Sequence, residues 1–155
     1  MSEVDLLHEE LVFLDVDARN TEDLFLFIGE ELEKRGYVKS TFIRAITERE
    51  ELYPTGLALE QINIGIPHTD PEHVNKGFVA VVKNKYKLPF IHMGTENRQI
   101  LIDYFFILGI KDTGDQVKLL QLLMEKFSSL EFVEGLQSNQ EQHTLFSFIK
   151  KKFEE

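Results

Sequence analysis

The chain has 155 residues, 43% of them apolar, enough for one well-formed core and too few for two ordinary domains. Seventeen basic residues against 27 acidic ones give a net charge of −10, which argues against nucleic acid and against an anionic membrane surface, both of which call for a basic patch. The absence of cysteine excludes disulfides and thiolate zinc sites.

In chain order, the acidic start Met1-Ser-Glu-Val-Asp-Leu-Leu-His-Glu-Glu10 lacks the positive and apolar regions of a signal peptide. No apolar run approaches the roughly 20 residues that span a bilayer, so a soluble, cytoplasmic protein is expected. Leu11–Val16 reads as a short strand. Asn20 or Thr21 caps a helix through about Arg35, with Leu24, Ile28 and Leu32 on one face and Gly36 ending it. Ser40 or Thr41 opens a second helix with Phe42, Ala45 and Ile46 inward. Arg49 falls three residues after Ile46, on the same face, and Pro54 bounds the helix.

Ile62, Ile64 and Ile66 alternate with Asn63 and Gly65, the period of a strand with one buried face. Pro67 fixes its own φ and removes a backbone donor, so the ladder stops there. His68 is the first side chain beyond the stop, anchored by a rigid element yet facing open space. Further on, Phe78–Val82, Leu88–Ile91 and Leu101–Leu108 read as strands. The first and last are nearly continuous apolar runs, as in strands covered on both faces. Asp115 caps a helix carrying Val117, Leu120, Leu123, Met124 and Phe127. A turn around Phe132 to Leu136 follows, then a last helix with Leu145, Ile149 and Phe153. The pattern predicts an α/β protein, a three-layer α/β/α sandwich with a central mixed β-sheet, formed by residues 1–155 as a single domain.

His68-Thr-Asp-Pro-Glu-His73 also has the residue types of a zinc or manganese site through His68, Asp70 and His73. Short clusters of this kind arise often by chance, and the segment reads equally as a turn around Pro71. No metal and no cofactor are expected. His92 reads as the end of a strand, with a place near the site as the alternative, and His8 and His143 read as surface residues.

Three fragments then point to a family. Arg49-Glu50, the turn Pro54-Thr-Gly56 and Ile64-Gly-Ile-Pro-His68 resemble, in order and spacing, the type-2 IIA domain of the bacterial phosphoenolpyruvate-dependent sugar phosphotransferase system, the fructose and mannitol group. Leu57-Ala-Leu-Glu-Gln61 resembles the connection in the galactitol-type branch, and the resemblance spans essentially the whole chain. It implies that His68 takes a phosphoryl group from the phosphocarrier protein HPr and passes it to a cysteine of a IIB component, which serves a membrane IIC component. With no cysteine in this chain, the acceptor is expected on another polypeptide.

A guanidinium suits phosphate because its planar donors bond two oxygens at once, so Arg49 is the candidate for stabilising phosphoryl charge. The alternative is that Arg49 pairs with Glu48, Glu50 or Glu60 and only supports the loop. Thr55 offers a hydroxyl donor, or else only caps the Thr-Gly turn. Histidine-type relatives carry a second histidine near the start of the helix after the last strand. Gln116 takes that place here, able to donate a neutral hydrogen bond but not to carry a proton. The resemblance leaves a second function open, a regulatory IIA module of nitrogen or transcriptional control whose His68 phosphorylation state governs partner binding.

Overall fold

A computed structural model describes residues 2–155. Five strands form one mixed sheet: β1 (Leu7–Val16), β2 (Gly56–Ala58), β3 (Asn63–Gly65), β4 (Phe78–Ile91) and β5 (Gln99–Gly109), in the order β1-β4-β5-β3-β2. β1 runs parallel to β4 and β3 parallel to β5, while β4/β5 and β2/β3 are antiparallel. Helices α1 (Thr21–Lys34) and α2 (Phe42–Leu52) cover one face; α3 (Thr113–Phe127), α4 (Leu130–Ser138) and α5 (Gln142–Glu154) cover the other. This is the expected three-layer sandwich.

The two cores follow from strand alternation. Ala80, Val82, Phe105 and Ile107 meet Leu24, Ile28, Phe42 and Ile46 of α1 and α2. Val79, Val81, Phe106 and Leu108 meet Leu119, Leu123, Phe132, Leu145 and Ile149 of the other layer. The continuous apolar runs of β4 and β5 are therefore covered on both faces, as such runs require.

Several boundaries differ from the sequence reading. β1 begins at Leu7 rather than Leu11, because buried Leu7 pairs with Val79 ahead of a register shift. The two segments expected at 78–82 and 88–91 form one strand, β4, which carries its polar stretch across an irregularity between Lys83 and Leu88. Pro89 is tolerated because β1 ends opposite Asn84, leaving β4 a neighbour on one side only there. α3 is capped by Asp112, not Asp115: the Asp112 carboxylate accepts the Gly114 N–H at 2.8 Å. α1 keeps its expected cap, the Asn20 side chain accepting from Asp23 N–H at 2.8 Å, and Gly36 follows it at φ +85°. Among the described residues no helix is long and apolar enough to cross a membrane.

Candidate functional site

β3 is shorter than the run of alternating isoleucines, and that shortness shapes the site. Its continuous pairing covers Asn63–Gly65, with an isolated bridge from His68 to Leu108 beyond; between them Ile66 gives its N–H to the Thr55 carbonyl at 3.1 Å. Pro67 has no N–H, but its carbonyl accepts Leu108 N–H of β5 at 3.0 Å. The backbone leading into His68 is thus fastened to the segment before β2 on one side and to β5 on the other.

The His68 ring is half-buried, and its Nδ1 lies 2.8 Å from the carbonyl of Ile66. A carbonyl only accepts, so Nδ1 carries the proton in this bond and Nε2 keeps its lone pair. Nε2 has no hydrogen-bond partner among the described residues. Burial pushes the imidazole's pKa below its usual 6.5, the Ile66 bond acts against that, the Arg49 charge adds to it, and Asp70 opposes it. The net effect lowers the pKa and so favours the neutral ring.

Arg49 comes from the last turn of α2, on the inward face beyond Phe42 and Ile46. None of the three glutamates considered from sequence is its partner: Glu48 pairs with Arg44 at 3.0 Å, and Glu50 is held by Thr55. Instead the Arg49 guanidinium donates through one terminal nitrogen to Asp70 Oδ1 at 3.1 Å and lies 5.2 Å above the Tyr53 ring. Its Nε is buried with no hydrogen-bond partner, a state that calls for an anionic or carbonyl acceptor.

Thr55 is buried, and both its donors go to Glu50: the hydroxyl at 2.6 Å and the backbone N–H at 2.9 Å. The hydroxyl has a single proton, and Glu50 holds it here. Of the two readings open at this position, the geometry matches a threonine that secures the turn and, through its carbonyl, the strand carrying His68. Burial raises the Glu50 carboxyl to about 7, against the lowering effect of the two Thr55 bonds.

Gln116 lies in the first turn of α3, partly buried, its N–H given to the Asp112 carbonyl at 3.1 Å. α3 begins just past β5, at the sheet end where Leu108 bridges to His68, so Gln116 shares that end of the molecule. No hydrogen bond joins it to His68. His73 does not converge with His68 and Asp70: its Nδ1 is 2.8 Å from the Thr41 hydroxyl, and among the described residues no three His, Asp or Glu side chains gather as metal ligands. His92 directly follows β4 and bridges to Gly56, its Nδ1 3.1 Å from the Gly56 carbonyl, a structural contact. Two residues with parts in this site have other parts than the sequence suggested: Asp70, a candidate metal ligand there, is the partner of Arg49, and Glu50, a candidate partner of Arg49, holds Thr55.

The galactitol-specific EIIA component of Escherichia coli (strain K12) is 29% identical over 114 residues, covering 74% of this chain and 75% of that protein. The mannitol-specific EIICBA component of the same strain is 39% identical over 62 residues, 40% of this chain and 9% of that longer protein. Among solved structures, the nitrogen regulatory protein IIA-Ntr from Neisseria meningitidis superposes with a TM-score of 0.76 at 21% identity, covering 94% of this chain and 97% of that one. The complex of enzyme IIAMTL and phosphorylated enzyme IIBMTL from Escherichia coli gives 0.73 at 22%, covering 94% and 99%. The family model of the phosphoenolpyruvate-dependent sugar phosphotransferase system, EIIA 2, matches residues 5–152, and the chain belongs to that family.

Proposed function

We propose that the protein is a galactitol-type IIA phosphoryl carrier, working in the cytoplasm, that accepts phosphate from phospho-HPr on His68. It then hands the group to the cysteine of a IIB component, and through it serves a membrane IIC component. The observation that carries this reading is the His68 ring: half-buried, pinned at Nδ1 by the Ile66 carbonyl, with Nε2 unpartnered among the described residues.

In the accepting step the Nε2 lone pair bonds to phosphorus while the donor's P–N bond breaks, its electron pair returning to the donor imidazole. In the onward step the IIB thiolate attacks and the pair returns to Nε2. Such transfers ask little covalent chemistry of the protein; they ask for alignment and charge stabilisation. The two backbone bonds that fasten Ile66 and Pro67, with the His68 ring's own bond to the Ile66 carbonyl, supply the alignment. Arg49 supplies the charge, its buried Nε and its terminal nitrogens offering donors to phosphoryl oxygens. Gln116 adds a neutral donor from the same end of the sheet when the group is in place. Thr55 acts through the backbone, holding the loop.

Reconstitution tests the reading. Phosphoenolpyruvate, the general phosphotransferase proteins, this protein and a galactitol-type IIB are combined, and label on the IIB cysteine is followed. Transfer that vanishes with His68→Ala supports the carrier role. Label that reaches this protein but goes to no IIB cysteine points instead to the regulatory module, and no label at all overturns both.

A further inference from the structure

Asp70 is placed and paired in a way that phosphoryl chemistry at His68 alone does not require. It stands directly before the single turn Pro71–His73, with proline at the first position, where an aspartate ordinarily caps the turn with its own side chain. Here it makes no capping bond. Its carboxylate reaches instead across 21 residues to the Arg49 guanidinium, at 3.1 Å and through one oxygen.

The pair is asymmetric. The Asp70 side chain is 62% exposed and the Arg49 side chain 30% exposed. The carboxylate can swing into water without losing solvation, whereas the guanidinium is held by α2 and the Tyr53 ring. One carboxylate oxygen also leaves the guanidinium unsatisfied, since Nε stays buried without a partner. An anion with three oxygens meets those donors better. Both Arg49 and Asp70 lie near enough to His68 to act on its charge, with opposite signs.

Resting on the reading of His68 as the phosphorylated residue, we propose that Asp70 is a displaceable counter-ion for Arg49. It holds the guanidinium while His68 is bare and yields it when the phosphoryl group arrives. The lost ion pair then weighs against the phosphorylated form. Asp70 is thus a positioning residue that sets how tightly the protein keeps its phosphoryl group, and it favours release to the next acceptor.

The test is the equilibrium constant for phosphoryl exchange between phospho-HPr and this protein, read by intact mass once exchange is complete. It is measured for wild type, Asp70→Asn, Arg49→Ala and the double variant. Asp70→Asn is expected to move the equilibrium towards phosphorylated protein by about two- to fivefold, the scale of a partly exposed ion pair. In the Arg49→Ala background the same substitution is expected to do almost nothing, because the effect runs through the guanidinium. No shift, a shift towards HPr, or an equal shift in both backgrounds would each overturn the proposal; the last would leave only simple repulsion between Asp70 and the phosphoryl group. Wild type that takes up no phosphate would instead bring down the carrier reading, and this proposal with it.

Discussion

The His68 Nδ1 is tied to the carbonyl of Ile66, two residues back along its own chain, at 2.8 Å. A contact this local survives rearrangement elsewhere in the site, so the ring's orientation and its tautomer are set before any partner docks. Nitrogen-15 spectra of the imidazole are expected to show the proton on Nδ1 and a bare Nε2. Because burial lowers the ring's pKa, the protonated form is disfavoured, and Nε2 keeps its lone pair to a lower pH than a free histidine does. Phosphoryl uptake should therefore persist at pH 6.5, with the midpoint of its acid loss below that value. A midpoint above it contradicts the assignment of burial as the dominant influence.

Arg49→Ala is expected to slow phosphoryl uptake by about 10²-fold, the scale of losing one preorganised charge-stabilising donor. Its effect on stability should stay within about 1 kcal/mol, since the folded protein loses a single partly exposed ion pair. Rate constants from quenched-flow labelling, set beside denaturant melts, separate the two. A large loss of stability with normal uptake would make Arg49 a structural residue.

Glu50 imposes a pH dependence of opposite sense to the ordinary acidic residue. Its folded pKa, about 7, lies above the 4.5 of a free glutamate carboxyl. Between those values the folded state binds more protons than the unfolded one, so stability falls as pH rises through the window. At about 1.4 kcal/mol per pKa unit this amounts to roughly 3 kcal/mol at most. Urea melts at pH 5 and pH 8 should show wild type weakening with rising pH, and Glu50→Gln, which keeps an acceptor for Thr55, should lose most of that slope. Identical slopes would mean the carboxyl is better solvated than its surroundings indicate.

Gly56 faces Gly65 across the β2/β3 pair, and a Cβ built on Gly56 lies 2.8 Å from the Ile91 carbonyl oxygen. That oxygen belongs to a strand and moves only if the backbone moves. Gly56→Ala is therefore expected to destabilise by about 1–3 kcal/mol, and because Thr55 is next in the chain, to slow phosphoryl uptake as well. Equilibrium unfolding and the labelling rate check the two effects.

What the sequence made legible here is local. Pro67 signals that the strand is ending, although β3 stops two residues before it, and so places His68 near the sheet end; the three-residue step from Ile46 places Arg49 inward; the uninterrupted apolar runs at 78–82 and 101–108 demand cover on both faces. The rest depends on tertiary neighbours. Arg49 had three glutamates close in sequence, yet its partner is Asp70, brought near only by the return of the chain through β2 and β3. The direction of the Thr55 hydroxyl is decided by a Glu50 carboxylate five residues earlier, across the end of a helix. Asp112 and Asp115 are equivalent caps by residue type; the Gly114 N–H, free to meet the Asp112 side chain, starts α3 at Thr113. β3 stops short of the isoleucine pattern because the pair Ile66–Thr55, next in register, makes only one of its two bonds: the Thr55 N–H goes to Glu50 and the Ile66 carbonyl to the His68 ring.

The most direct measurement is an intact-mass scan after incubation with HPr, its phosphorylating enzyme and phosphoenolpyruvate. One phosphoryl increment, lost in mild acid and absent from His68→Ala, is the expected result. An increment of the same size on the His68→Ala protein, or none on the wild type, would contradict the account at its centre.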